Sequence, residues 1–364
     1  MLKLHLFAGG SIDLEENHFK DQICLYARGV AAVTESECLQ TIRFIAGNRG
    51  RQMRRMRELL EEVYQQGDKL FIIGFSRGAS AAREFAVSLD KNGLKPKDGK
   101  RIKDVEIEFL GCFDTVSMET WTDLPILLYN AILNKLTKST RLKENGKVAP
   151  KVKQAVHLVS LDDNRQFGIS PSPFPPILMG KEERVHEVWF PGQHGDVGGG
   201  FYLNGLSDVA CEYMMKWMKK AGVKFIEDPN DIKESSLEIK ERPDINLKEE
   251  KYFDKIKITP NPGQIDNIEP DCKSSRPVLV FENDKPSSGA VVNIHESVLD
   301  HFIARKVEGK NDYKLNTKLK NVEFRVVGKS GEEFSEELIE KTKDLKTILE
   351  EIEDEEDEKK RCCC

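Results

Sequence analysis

Phe71-Ile72-Ile73-Gly74-Phe75-Ser76-Arg77-Gly78-Ala79-Ser80 sets Gly-x-Ser-x-Gly between an apolar, β-prone run and a helix of small residues. A nucleophile elbow needs that context: a serine on a strained strand-to-helix turn, its hydroxyl presented at a helix N-terminus. The chemistry this predicts is acyl transfer through Ser76, with the backbone N–H of Arg77 facing the developing oxyanion. Glycines two positions before and after the serine let strand and helix approach closely. A helix-capping serine in a tight turn is the plainer reading, and it asks for no partners elsewhere.

Such a nucleophile needs an acid and a base from later strand ends, in the chain order Ser, Asp or Glu, His. Two segments fit. Phe109-Leu110-Gly111-Cys112-Phe113-Asp114-Thr115-Val116 ends a strand at Asp114, and Trp189-Phe190-Pro191-Gly192-Gln193-His194-Gly195-Asp196-Val197-Gly198-Gly199-Gly200 ends one at His194. A turn cap and a loop histidine bonded to backbone are their plainer readings. His295 is the alternative base, since it too lies late in the chain beside an apolar segment. Asp196 is the alternative acid, although two residues from His194 on one loop is a poor place from which to reach the far ring nitrogen. His157 and His186 sit at strand-like positions and read as structural. Arg77 and Arg83 flank the elbow, where either could meet a lipid phosphate; for Arg83 an ordinary ion pair is the plainer reading. No metal-ligand spacing and no nucleotide fingerprint occur, so no metal or cofactor is expected.

These blocks resemble an α/β-hydrolase domain family of unknown function that includes the type VI secretion phospholipase effectors of bacteria and related fungal proteins. Gly74-Phe75-Ser76-Arg77-Gly78-Ala79, the Asp114 block and the segment from Val188 to Phe201 carry the resemblance. Weaker matches are Leu161-Asp162-Asp163-Asn164-Arg165-Gln166-Phe167 and Ile294-His295-Glu296-Ser297-Val298, so the likeness covers roughly residues 1–305. The resemblance implies an α/β-hydrolase fold and a phospholipase A-like serine esterase, a bacterial effector or toxin with Ser76 as nucleophile, His194 as base and Asp114 as acid. It also implies an immunity or host protein as partner. The family usually opens with Asp-Gly-Thr after the first strand; here the segment is Phe7-Ala8-Gly9-Gly10-Ser11-Ile12-Asp13, in which Gly9 and Gly10 remain to lend an N–H to the oxyanion hole.

The elements that must position these residues alternate over the first three-fifths of the chain, which predicts an α/β fold: a mostly parallel central sheet with helices on both faces. Strands are predicted at residues 2–7, 69–73, 105–110 and 185–190, and helices over 51–65, from the elbow to Asn92-Gly93, and over 207–221. A helical cap is expected at about 117–150, with an ordinary packed helix as the plainer reading. Surface excursions are expected at about 226–288, with a short strand at 278–281. Residues 1–305 then form the catalytic domain and 306–364 a C-terminal extension.

The 364 residues carry a net charge of −6 with pI about 5.8, which excludes a strongly basic nucleic-acid binder. Residues 331–361 hold 14 acidic and 6 basic side chains, a charge of −8, so the rest of the chain stands at +2. Phe334, Leu338, Leu345, Ile348, Leu349 and Ile352 fall on one helical face there, predicting a docked or partner-seeking acidic helix. An idle hydrolase scaffold that binds a protein through this helix is therefore the alternative to an enzyme. No run approaches the roughly 18 apolar residues of a spanning helix, and Met1-Leu2-Lys3-Leu4 opens without a cleavable leader. The expectation is a soluble protein of the bacterial cytoplasm, secreted without a signal peptide. Cys24, Cys38, Cys112, Cys211 and Cys272 lie singly and read as reduced and mostly buried. Lys359-Lys360-Arg361-Cys362-Cys363-Cys364 sets basic residues before cysteines that lipidation could use, giving a route to peripheral membrane association, although the prenylation box does not fit.

Overall fold

Residues 2–7, where leucines alternate with other residues as in a strand, form instead a six-residue helix, α1 (Leu2–Phe7). Leu4, His5, Leu6 and Phe7 are all buried, so the alternation separates no inner from outer face, and a half-buried strand depends on that separation. The computed structural model describes residues 1–11, 17–27, 49–97, 99–116, 147–163, 177–180, 182–201, 203–233, 237, 256–264, 276, 278, 281–282, 285–286, 291–307, 313, 315–329, 331 and 335–362. The cap expected at about 117–150 falls outside these residues except at 147–150, as do most of the excursions at 226–288.

After α1 come helix α2 (Arg49–Val63), strand β1 (Lys69–Phe75), helix α3 (Arg77–Asn92) and strand β2 (Glu106–Phe113). Strands β3 (Val152–Ser160) and β4 (Val185–Phe190), helices α4 (His194–Gly198) and α5 (Gly205–Lys220), and the two-residue strands β5 (Phe281–Glu282) and β6 (Lys285–Pro286) follow. Strand β7 (Val292–His295), helix α6 (Ser297–Val307), strand β8 (Phe324–Val327) and helix α7 (Glu336–Cys362) complete the order. Six strands make one sheet in the order β1-β2-β3-β4-β7-β8, and β1–β2, β4–β7 and β7–β8 pair in parallel. Parallel neighbours require long crossovers, which the intervening helices supply. The architecture is α/β, as the alternation predicts.

The chain divides into two compact units, Met1–His157 with Glu182–Val185 and Trp217–Ile258, and Leu158–Lys181 with His186–Lys216 and Thr259–Cys364. In the first unit, β2 buries Ile107, Phe109, Leu110, Cys112 and Phe113, and α3 buries Ala79, Ala82, Phe85, Ala86 and Leu89. Arg57 of α2 reaches α3, donating to Gly93 O at 2.8 Å and Ser88 Oγ at 3.0 Å with its guanidinium over the Phe85 ring.

In the second unit, β7 and β8 share a core with Trp189, Val298, Leu319 and the α7 residues Leu338, Leu345 and Leu349, against which Ile348 and Ile352 also pack. The acidic helix is thus docked by its own apolar face. Thr342 of α7 accepts the Val326 N–H at 3.0 Å while its hydroxyl donates to Leu338 O at 2.7 Å, so α7 satisfies a backbone group on the last strand of the sheet. Residues 306–364, expected as an extension, supply that strand and its cover. Phe334 of the expected face, and Cys363 and Cys364 of the tail, lie outside the described residues.

Candidate active site

Ser76 sits between β1 and α3 with φ 59° and ψ −126°, a conformation costing a non-glycine residue about 1–3 kcal/mol. Its backbone is held on both sides: the N–H donates to Phe113 O at 3.0 Å, and its carbonyl accepts from Ala79 at 3.0 Å, Ser80 at 3.3 Å and Val116 at 3.4 Å. The side chain makes no capping bond to α3, so the plainer reading of this serine does not hold. Gly74 explains how the turn closes. A Cβ there would lie 2.3 Å from Gly78 O and 2.7 Å from Ala79 Cα, whereas one on Gly78 would meet nothing within 4 Å. The close approach therefore depends on Gly74 alone, with the Gly78 backbone filling the space.

Asp114 comes directly after β2, fully buried, at φ 36°. Among the described residues it and Ser76 are the only non-glycine positions with positive φ. The loop that carries it is bonded to the elbow helix and the neighbouring strand: Ser80 Oγ donates to Val116 O at 2.6 Å, and the Thr115 N–H donates to His157 Nε2 at 3.1 Å. This is the structural role the sequence gives His157. Arg77, the first residue of α3, is half-buried, and desolvation lowers its pKa; Arg83 is buried on the same helix.

The loop between α1 and the rest of the first unit departs from expectation. The Gly9 N–H donates to Leu6 O at 2.9 Å and the Gly10 N–H to His5 O at 3.0 Å, so both groups close the end of α1. A donor bonded to its own helix carbonyl is not offered to an oxyanion, and the oxyanion role expected of Gly9 and Gly10 is withdrawn. Gly10 earns its place differently: a Cβ would fall 2.2 Å from the His5 ring, whose Nε2 bonds to Ser11 O at 2.9 Å.

In the second unit His194 opens α4, four residues beyond β4, and is buried at 8% exposure. Gln193 caps this short helix reciprocally with Asp196, whose Oδ2 accepts the Gln193 N–H at 2.8 Å. That bond gives Asp196 Oδ2 a role in capping the short helix. Gly192 (φ 89°) has Asp196 Cβ 2.6 Å from where its own Cβ would be. Gly199 and Gly200, by contrast, serve by their positive φ and not by close packing, because a Cβ on either would meet nothing.

The sequence reading gave no role to Asp163. It is fully buried three residues past β3, and one of its carboxylate oxygens lies within 4.8 Å of a His194 ring nitrogen. Next to it, Asp162 Oδ2 accepts the Gly192 N–H at 2.7 Å and the Tyr313 hydroxyl at 2.9 Å. Burial pushes the Asp162 carboxyl up to about 7 against the pull of those two donors and the Arg276 charge.

His295, at the end of β7, stacks on Phe190 with centroids 4.3 Å apart and meets Tyr213 edge-on at 5.3 Å. Its Nδ1 accepts the Ser297 N–H at 3.2 Å, and burial, aided by the Lys216, Lys329 and Lys341 charges, pushes its pKa down to about 3. A ring clasped in this way is a packed, neutral core imidazole.

A model of the family described as "T6SS, Phospholipase effector Tle1-like, catalytic domain" matches residues 9–104 and 95–219, more than half of the chain. Two solved structures are similar to parts of it. A crystal structure of an uncharacterized protein from Pseudomonas aeruginosa is 22% identical over 56% of this chain and 29% of that one, with a TM-score of 0.30. The Tle1 effector bound to the VgrG spike of the type 6 secretion system is 20% identical over 50% of this chain and 36% of that one, with a TM-score of 0.31. The chain thus spans about a third of the length of these solved chains. No curated protein matches it. On the family model's coverage, the chain belongs to the Tle1-like catalytic domain family of type VI secretion phospholipase effectors.

Proposed function

We propose that this domain is a serine esterase that cleaves acyl esters of membrane phospholipids through an acyl-enzyme, with Ser76 as nucleophile, His194 as general base and Asp114 as the acid that orients it. The observation that carries the reading is Ser76 itself, a strained serine between strand and helix whose hydroxyl makes no capping bond to that helix. Family membership supplies the substrate class. Neutral His194 takes the hydroxyl proton as Ser76 Oγ attacks the ester carbonyl, then returns it to the departing alcohol. The negative oxygen of the tetrahedral intermediate is stabilised by the Arg77 N–H in the first turn of α3. Water then repeats the cycle on the acyl-enzyme.

The scaffold alternative gave partner binding to the acidic helix. Leu338, Leu345 and Leu349 of that helix, with Ile348 and Ile352 beside them, are spent on its own core, which weighs for the enzyme. Membership in a type VI effector family supports delivery by that machinery to a recipient membrane, with an immunity protein as the natural partner of a toxin. No helix among the described residues is long and apolar enough to cross a bilayer, so access to lipid is proposed from the surface. The test is covalent labelling with a fluorophosphonate followed by peptide mapping. A single adduct on the peptide carrying Ser76, absent in Ser76→Ala and in His194→Ala, is expected; an unlabelled parent chain or an adduct elsewhere contradicts the reading.

A further inference from the structure

We propose that Tyr313 and Asn316, in the stretch between α6 and β8, are positioning residues that lock the turn carrying His194; the assignment rests on the reading of His194 as general base. The turn is tied to the end of β3 by four bonds. Leu161 N–H donates to Phe190 O at 2.9 Å, Asp162 N–H to Gly192 O at 3.1 Å and Ser160 Oγ to Gly192 O at 2.8 Å. Gly192 N–H returns a bond to Asp162 Oδ2 at 2.7 Å, and the Tyr313 hydroxyl donates to that same oxygen at 2.9 Å. A carboxylate oxygen has room for both donors, so Tyr313 sets where Oδ2 stands for the Gly192 N–H. Gly192 is in turn packed on the helix that His194 opens: Asp196 Cβ lies 2.6 Å from where a Gly192 Cβ would be. A shift of the turn therefore reaches α4, whose five residues are too few to absorb it.

The strand end that holds the turn is itself held by side chains from later in the chain. Arg276 donates to Ser160 O at 2.7 Å, and Asn316 Nδ2 donates to Leu161 O at 2.7 Å and to Arg276 O at 2.9 Å. Arg276, Tyr313 and Asn316 are all buried, and all lie beyond residue 219, where the family match ends. The Tyr313 ring is set in the core with Trp189 and Val298 and meets His301 edge-on at 4.3 Å. A phenol anchored by its ring and bonded through its hydroxyl cannot follow a moving turn, so the turn is held to it. Buried hydrogen bonds of this kind fix one arrangement of the backbone they join. A general base displaced by about 1 Å loses about 10²-fold in rate, which is the reason for such a support. Neither Tyr313 nor Asn316 touches the reacting atoms; both act through residues 160–162 and Gly192 on the helix that carries the base.

The test uses the full chain as the parent, with Tyr313→Phe, Asn316→Ser and, as a control in the same unit, Thr342→Val. Tyr313→Phe removes one hydroxyl. Asn316→Ser keeps a side-chain oxygen for the Lys318 N–H and gives up the bonds to Leu161 O and Arg276 O. Thr342→Val removes a bond of α7 that has no part in the turn. Two readouts are taken at a temperature where every variant is folded by circular dichroism: kcat and KM on a short-chain nitrophenyl ester, and hydrogen exchange of the peptide spanning 190–198. Tyr313→Phe is expected to lower kcat about tenfold and Asn316→Ser about fivefold, with KM within about twofold, while Thr342→Val keeps kcat within about twofold. Exchange in 190–198 is expected to quicken in the first two variants and not in the control. An unchanged kcat or unchanged exchange in Tyr313→Phe overturns the proposal, as does an equal fall of kcat in Thr342→Val. If Tyr313→Phe does not fold, Asn316→Ser decides by the same two readouts. A parent chain without esterase activity contradicts the reading of Ser76 and His194 instead, and exchange then decides alone: quickened exchange in Tyr313→Phe supports the lock, and unchanged exchange overturns it.

Discussion

At Ser76 the torsions, the uncommitted hydroxyl and the glycine at position 74 belong to one device. Gly74→Ala is expected to cost about 1–3 kcal/mol, since its methyl must displace the Gly78 carbonyl, while Gly78→Ala is expected to be neutral or to stabilise by up to about 1 kcal/mol. Urea unfolding of both variants checks the contrast, and equal effects would be contrary to it. Two buried groups give opposite pH dependences. Folded Asp162 keeps its proton up to about pH 7, whereas an unfolded aspartate gives it up near pH 4, so this group's contribution falls as pH rises through that window. Asp162→Asn is therefore expected to compare better with the parent at pH 7.5 than at pH 5. His295 stays neutral in the fold down to about pH 3, so its contribution is complete above the ordinary histidine range and is lost as pH falls below it. His295→Phe should gain on the parent between pH 7 and pH 4 and keep esterase activity at neutral pH. The sequence shows Ser76, Asp114 and His194 because each ends a readable strand in a residue of the right type. It does not show which of the neighbouring Asp162 and Asp163 holds the Gly192 turn, a role that the Asp162 carboxylate takes. It also gives no sign that the N–H groups of Gly9 and Gly10 are taken by α1.

Among the elements, β4 and the helices α2, α3, α5 and α7 follow from apolar periodicity, and β1 and β2 are found with their ends a few residues short. Strands β3, β7 and β8 are not readable. β3 opens Val-Lys-Gln-Ala, with Lys153 paired to Glu106 and Glu108 of β2, and β7 and β8 are four residues each, too short to show a period. Their existence is decided by pairing partners distant in sequence. The helix α7 is where the element scale makes its sharpest claim. Leu345 is fully buried in the core shared with β7 and β8, so Leu345→Ala is expected to cost about 2–5 kcal/mol. Thr342→Val leaves the Val326 N–H without its acceptor and is expected to cost about 1–3 kcal/mol. Thermal melts followed by circular dichroism test both; a loss below 0.5 kcal/mol for Leu345→Ala would mean that α7 is not an integral part of the second unit.

At the scale of the whole molecule, the family model ends at residue 219, yet the sheet needs β7 and β8 and the cover of α7 to be complete. A chain cut after residue 305 is therefore expected to be insoluble or partly unfolded, because it loses β8 and the core residues Leu338, Leu345 and Leu349 of α7. The negative charge is local to the tail, and the rest of the chain stands at +2. The central claim is hydrolysis of phospholipid by Ser76. Release of fatty acid from vesicles of phosphatidylethanolamine and phosphatidylglycerol, measured with the purified parent chain beside Ser76→Ala, tests it most directly. The account predicts release by the parent and a loss of at least about 10³-fold in the variant; equal release by the two proteins, or none from the folded parent, would contradict it.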